Sequence, residues 1–286
     1  MPPLVATIPA SQQTSIEQVS RYIASKETDP FQRVKAMHDY VVDRLKYDHD
    51  RLRRNDLTAE SQRPEVVFSS KLAVCAGYAK LLVEMGKYTG DEIVYVVGDT
   101  RDDAGNPSDV GHAWNAVKIE GYWYHMDATW NDPTNPDRPS KTFYRTTYLF
   151  TPSHIFGVDH FPKDAIWQLR DTPLTRGEFL RQPLVDPAFY VAGLEFIDPK
   201  RSQVTAPRRS FTLKLGNTKR NRILTRLAAK GTPQNQSERQ CKVSGGKVVS
   251  LKCDAPSSGT YHVQLFAGPK HQSTLSYVGR FEVHVP

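Results

Sequence analysis

One cysteine, one histidine and one aspartate of this chain stand in three separate contexts: Ala73-Val74-Cys75-Ala76-Gly77-Tyr78-Ala79, Gly111-His112-Ala113-Trp114-Asn115 and Tyr124-His125-Met126-Asp127-Ala128-Thr129-Trp130. A thiol, an imidazole and a carboxylate are the parts of a nucleophile, its proton acceptor and the group that orients the acceptor. In that chemistry Cys75 attacks an amide carbonyl as thiolate, His112 carries the proton and Asp127 fixes the imidazole tautomer. The first product is a thioester. An amine then gives an isopeptide, whereas water gives deamidation or proteolysis, and these residues do not choose between the outcomes. The Cys75 N–H is one oxyanion donor, and Tyr47 is the candidate for a second. The scheme calls for no cofactor and no metal. Singly, each residue has an inert reading: a buried thiol, a satisfied strand histidine, a turn or cap aspartate. Three contexts matching together, in order, favour the chemistry.

The flanking sequence says how the three are held. Cys75 lies between the turn-like Phe68-Ser69-Ser70-Lys71 and the apolar stretch Tyr78, Ala79, Leu81, Leu82, Met85, which predicts a helix beginning at or near the cysteine. Unpaired N–H groups and the dipole at a helix N-terminus stabilise a thiolate. His112 opens the alternating run Ala113 to Ile119, and Asp127 closes a second run, Tyr122 to Met126. With Glu120-Gly121 as the turn, the two runs form an antiparallel pair that places position 112 near 128 or 129. Glu92 to Gly98 is a third strand beside them. Trp114 and Trp130 are expected to wall the cleft, Tyr78 and Asn115 to pack and hydrogen-bond, and His125 and His160 to be spare histidines. A spacing of two keeps His125 on the same strand face as Asp127.

The order Cys, His-Ala-Trp-Asn, Asp-Ala-Thr-Trp resembles the transglutaminase-like superfamily, a branch of the papain-like cysteine enzymes. Leu45-Lys46-Tyr47-Asp48, Tyr148-Leu149-Phe150-Thr151-Pro152-Ser153, and Asp159-His160-Phe161-Pro162 followed by Trp167-Gln168-Leu169 are similar to its kyphoscoliosis peptidase and cytokinesis-protein-like branch, as are Pro173-Leu174 and Phe179. The similarity covers roughly residues 31 to 197 well. Ala73 stands where the family usually has Gly. The resemblance implies an α+β fold with a papain-like transglutaminase core, helices against an antiparallel sheet, followed by an all-β immunoglobulin-like sandwich. It implies Cys75, His112 and Asp127 as catalytic residues acting on a protein or peptide substrate. The competing implication is an interaction protein that keeps the fold without catalysis, as members similar to the cytokinesis group do.

Two domains are expected, residues 1–180 for the catalytic domain and 181–286 for the sandwich. In the first, Ser15-Ile16-Glu17-Gln18 predicts a capped helix with a capping box, and Asp29-Pro30 opens a second carrying Val34, Met37 and Val41. His49 to Arg63 is polar and predicts an exposed loop. Asp99 to Asp109 predicts a flexible turn opening toward the active site, Asn131 to Pro136 a proline-rich loop, and Phe143 to Phe150 a return to the core. Thr172 to Pro187, with three prolines, predicts the linker. Beyond it, Phe189–Ile197, Ser210–Leu215, 241–253, Gly259–Ala267 and Ser276–Val285 alternate as short strands. Asn217 to Lys230 reads either as a strand pair or as a basic helix. Cys241 and Cys253 flank a hairpin, and disulfide and buried thiols both fit. A zinc site from Cys241, Cys253, His262 and His271 lacks any C-x-x-C knuckle.

The composition, 38% hydrophobic and 24% charged, is that of a globular protein. No apolar run approaches the ~18 residues of a spanning helix. The first ten residues lack the basic and apolar regions of a signal peptide. A cytoplasmic location is therefore the default, and export by another route stays open. The formal charge of +7 is uneven. Through Val185 there are 22 Lys and Arg against 25 Asp and Glu, a net of −3; from Asp186 on there are 16 against 6, a net of +10. A solvated basic face accounts for this, and an acidic partner or substrate would use it. No helix-turn-helix, zinc-finger or aromatic RNA-binding signature accompanies the charge, which disfavours nucleic acid.

Overall fold

The computed structural model describes residues 3–102, 105–133, 146–201, 203–232 and 239–286. Asp103, Ala104, residues 134–136 of the proline-rich loop, Phe143 and Tyr144 lie outside them. Contacts divide the chain into two units: Met1–Thr100 with Ser108–Phe156 and His160–Pro173, and Arg101–Pro107 with Gly157–Asp159 and Leu174–Pro286. The architecture is α+β, helices against an antiparallel sheet in the first unit and an all-β sandwich in the second.

In the first unit a short α1 (Pro3–Ala6) precedes α2 (Ile16–Lys26) and α3 (Pro30–Arg44). Ser15 and Asp29 cap α2 and α3, accepting from the Gln18 and Gln32 N–H groups at 3.1 and 2.9 Å. Only half of the expected capping box is present, because the Gln18 side chain accepts from the Thr14 hydroxyl instead. β1 (Lys46–Tyr47) runs parallel to β2 (Leu72–Ala73). Between them the polar stretch expected as a loop forms α4 (His49–Arg54), capped by Asp48 and ended by Asn55 at φ 54°. α5 (Pro64–Ser70) follows, and Lys71 at φ 60° closes it, so the turn-like residues are a helix end. α6 (Cys75–Thr89) buries Tyr78, Leu81, Leu82 and Met85 along one stripe and stops at Gly90, φ 80°.

β3 (Glu92–Thr100), β4 (His112–Ile119) and β5 (Tyr122–Met126) are followed by α7 (Ala128–Asn131), β6 (Leu149–Thr151), α8 (Ser153–Phe156) and β7 (His160–Pro162). The antiparallel sheet runs β6-β5-β4-β3-β7. Glu120 and Gly121, both at positive φ, make the tight turn, and Asn115 pairs with Met126 in the expected register. One sheet face packs on the helices through Ile93 and Val117, joining Val34, Met37, Leu82 and Met85. The other carries a second core of Val96, Trp114, Ala116, Trp130, Tyr148 and Phe156.

In the second unit the predicted linker is structured. Its α9 (Arg176–Arg181) starts in a capping box between Thr175 and Glu178, and β8 (Leu184–Val185) pairs with a sandwich strand. The expected strand at Phe189 is first α10 (Ala188–Val191) and then β9 (Leu194–Asp198). β10 (Gln203–Thr205), β11 (Ser210–Asn217), β12 (Arg222–Ala229), β13 (Lys242–Gly245), β14 (Val248–Asp254), β15 (Gly259–Gly268) and β16 (Ser276–Val285) complete it. The basic stretch left open above is therefore strand. One sheet runs β10-β16-β15-β12 with β8 on β16, the other β13-β14-β11-β9. Gly279 lets β8 approach β16, since a Cβ there would lie 2.7 Å from the Val185 Cα. Inward Phe211, Leu213, Leu215 and Leu251 share a core with Val263, Leu265, Phe281 and Val283. Cys241 and Cys253 form a disulfide across the hairpin, which leaves neither free for the zinc set. Arg101, expected in a flexible turn, is 1% exposed and donates to the carbonyls of Val158 and Gln182.

Candidate active site

Cys75 is the first residue of α6 because the segment before it is pinned. Asp48 N–H donates to the Ala73 carbonyl at 2.9 Å, and Val74 N–H to Gln62 Oε1 at 3.1 Å. Ala73 is accommodated by Gly77. A Cβ on Gly77 would lie 2.6 Å from the Ala73 Cβ, so the methyl the family usually lacks sits where the facing residue has none. Of the three cysteines, Cys75 alone is free.

His112 opens β4, and Asp127 stands between β5 and α7. The turn at Glu120-Gly121 brings them level, and His112 Nε2 lies 2.8 Å from Asp127 Oδ2. The His112 imidazole and the Ala113 N–H both lie near enough to the Cys75 sulfur to favour its thiolate. Burial pushes the Cys75 thiol up, but the hydrogen bond and charge of His112 outweigh it, so the pKa falls below that of an ordinary cysteine. Burial lowers His112, yet the Asp127 charge and hydrogen bond raise it to about 10. Burial also acts against the Asp127 carboxylate, and its two imidazole partners nevertheless hold it well below the usual carboxylate range. The arrangement thus favours a thiolate beside an imidazolium.

His160, expected to be spare, is part of the site. From β7, opposite Thr100, its Nε2 lies 3.1 Å from the same Asp127 Oδ2, and it is 1% exposed. The Asp127 Oδ1 accepts from the Trp130 N–H at 3.1 Å, since Asp127 also caps α7. The carboxylate therefore receives His112, His160 and Trp130. The sequence signal for His160 was its place in Asp159-His160-Phe161-Pro162, used above only for the resemblance. Phe156 stacks between two imidazoles, 3.9 Å from His160 and 4.2 Å from His125. Burial and the neighbouring His160 charge lower His125 to about 3, so it stays neutral. The rings of Trp130 and Trp114 stack on His112 at 5.2 and 6.0 Å, as walls of the site.

The remaining residues support these. Asn115 Nδ2 donates to the Ala79 carbonyl at 3.0 Å, tying β4 to α6. Tyr78 donates to Asp132 at 2.7 Å; burial and that carboxylate push its phenol up. Tyr47 sits in β1 opposite Ala73, its ring 6.4 Å from that of Tyr78. His112, Asp127 and His160 bring three ligand-type atoms within 4.8 Å of one another. Both imidazoles already aim Nε2 at the carboxylate, so an ion there would displace those two hydrogen bonds.

Residues 17–128, which carry Cys75, His112 and Asp127, match the transglutaminase-like superfamily. The first unit therefore contains a transglutaminase-like domain. Residues 176–286 match the KY-like, immunoglobulin-like domain. Kyphoscoliosis peptidase of Mus musculus is 27% identical over 258 residues, covering 88% of this chain and 38% of that protein. The Lim and transglutaminase domain protein ltd-1 of Caenorhabditis elegans is 31% identical over 100 residues, 31% of this chain and 14% of its own. A solved transglutaminase structure aligns with 52% of this chain and 38% of its own, at 16% identity and a TM-score of 0.33. The chain spans about two-fifths of the kyphoscoliosis peptidase it matches. Among its described residues no helix is long and apolar enough to cross a membrane.

Proposed function

We propose that this transglutaminase-like domain carries out cysteine-dependent acyl transfer or hydrolysis on protein amides, with Cys75 as nucleophile, His112 as acid and base, and Asp127 as orienter. The observation that carries this reading is the buried pair of His112 Nε2 and Asp127 Oδ2, 2.8 Å apart, with the His112 imidazole favouring the Cys75 thiolate. The Cys75 thiolate adds to the carbonyl carbon, and the oxyanion meets the Cys75 N–H at the start of α6. Tyr47 is retained as the candidate second donor. Collapse breaks the C–N bond, the His112 imidazolium gives its proton to the departing nitrogen, and a thioester remains. An amine or water then attacks, His112 takes the proton, and the thiolate is released. Trp114 and Trp130 exclude water from the imidazole.

The test is alkylation by iodoacetamide. At pH 6.5 an ordinary thiol is about 1% ionised, so wild-type Cys75 should react roughly 10- to 100-fold faster than Cys75 in His112→Ala. Labelling should reach one equivalent and vanish in Cys75→Ala. Equal rates for wild type, His112→Ala and the denatured chain at pH 6.5 would sink the catalytic reading and leave the fold as a binding scaffold.

A further inference from the structure

β3 has a feature that the triad does not use. Its pairing with β4 puts Val97 opposite Ala113 and Tyr95 opposite Asn115. The Ala113 N–H lies near enough to the Cys75 sulfur to favour its thiolate, and Asn115 Nδ2 donates to the Ala79 carbonyl on α6. Directly paired residues of an antiparallel ladder share a sheet face, and residues two apart in one strand do too. Ile93, two before Tyr95, is buried in the core that contains α6, and Lys80 of α6 lies 5.9 Å from the Tyr95 ring. Tyr95 and Val97 therefore stand on the nucleophile's side of the sheet.

Their exposure is the second observation. Ile93 is 7% exposed, whereas Tyr95 and Val97 are 38% and 39% exposed. The physical reason is that α6 begins at Cys75: the helix covers β3 at Ile93 and runs out where Ala113 meets the sulfur. An aromatic and a β-branched side chain are thus left open side by side, and the Tyr95 phenol is pushed up by partial burial and, after that, by the Cys75 charge. Lys80 is the charged group over Tyr95, and Asp99 is the next side chain on that face. Lys80 would offer an acidic side chain an opposite charge and Asp99 a like one, so the two largely offset each other and the apolar surface between them decides.

We propose that Tyr95 and Val97 form a substrate shelf that takes an aliphatic or aromatic side chain of the peptide, adjacent in sequence to the residue whose carbonyl Cys75 attacks. The shelf rests on the acyl-transfer reading for its purpose. The occupant follows from place and chemistry: whatever presents a carbonyl to Sγ must lay its neighbouring residue along the strand that faces Sγ. Apolar area is what remains there to be covered. Selection by such a surface is worth on the order of tenfold or more between an apolar and a polar side chain.

The probe is a series of tripeptides whose central side chain ends in a chloroacetamide and whose flanking residues are both Leu, both Phe, both Ser or both Asp. The rate of Cys75 alkylation by each is divided by the same protein's own iodoacetamide rate. Wild type should take the Leu and Phe probes at least about tenfold faster than Ser or Asp. Tyr95→Thr/Val97→Thr keeps strand-forming side chains and should bring the normalised rates of Leu, Phe and Ser within about twofold. Tyr95→Thr alone serves if the double variant loses its tryptophan fluorescence signature. Wild type without preference, or a preference that survives the substitutions, overturns the shelf. Repeating the series at pH 9.5, where even an ordinary thiol is ionised, separates the two claims. A Cys75 that is not activated at pH 6.5 fails the catalytic reading, yet its normalised preference at pH 9.5 still decides the shelf.

Discussion

His160→Phe isolates one interaction in the site. The substitution keeps a flat ring against Phe156 and Trp130, whose centroids lie 3.9 and 4.1 Å away, and deletes the donor 3.1 Å from Asp127 Oδ2. A hydrogen bond to an ionised partner contributes roughly 1.5–3 kcal/mol. For a unit of this size each kcal/mol moves the Tm by about 2–4 °C, which predicts a fall of about 3–12 °C. All four tryptophans, Trp114, Trp123, Trp130 and Trp167, lie in the first unit, so fluorescence-detected unfolding reports that unit alone. The pH dependence has a definite sign. The Asp127 pKa is depressed from its ordinary 3.8, so its stabilisation is present above 3.8 and is lost as pH falls through the folded value. The deficit of His160→Phe is therefore full at pH 7 and shrinks only below about pH 3.8. A variant within about 0.5 kcal/mol of wild type at pH 7 would refute the reasoning and reduce His160 to a packing residue.

Two further expectations concern the second unit. Replacing Cys241 and Cys253 by Ser opens a loop whose ends are 12 residues apart, and chain entropy predicts a loss of about 3 kcal/mol in urea unfolding followed by circular dichroism. Unchanged stability would show that the disulfide adds nothing to this hairpin. The net of +10 beyond Asp186 predicts that turnover on an acidic protein falls with ionic strength, while alkylation by neutral iodoacetamide does not. Reversing the exposed Arg208, Arg209, Arg220 and Arg222 should abolish that salt dependence, and an unaltered response would make the basic face solvent-facing only.

The sequence by itself determined whatever is set within a few residues along the chain. Ser15 and Asp29 cap the helices they precede because a side-chain oxygen needs only the N–H three residues on. Glu120-Gly121 forces the tight turn, and the turn fixes the register that brings His112 level with Asp127. The apolar spacing of Tyr78, Leu81, Leu82 and Met85 predicts α6 with its start at or near Cys75.

Only the tertiary structure decided which distant groups share one atom. His160 is 33 residues from Asp127, and nothing in its own neighbourhood says that β7 adds to the edge of β3 and aims its imidazole at an oxygen already held by His112. Thr172 to Pro187 reads as a linker from its prolines, yet β8 finds a partner on β16 because Gly279, almost a hundred residues later, leaves room for Val185. Arg101 looks solvated from its acidic neighbours, but the Val158 and Gln182 carbonyls need donors once that segment is buried. The same holds for the shelf: alternation puts Tyr95 and Val97 on one face, and only the place where α6 begins decides that this face is open. Caps and turns are settled by local geometry, whereas burial is settled by what the rest of the chain brings alongside.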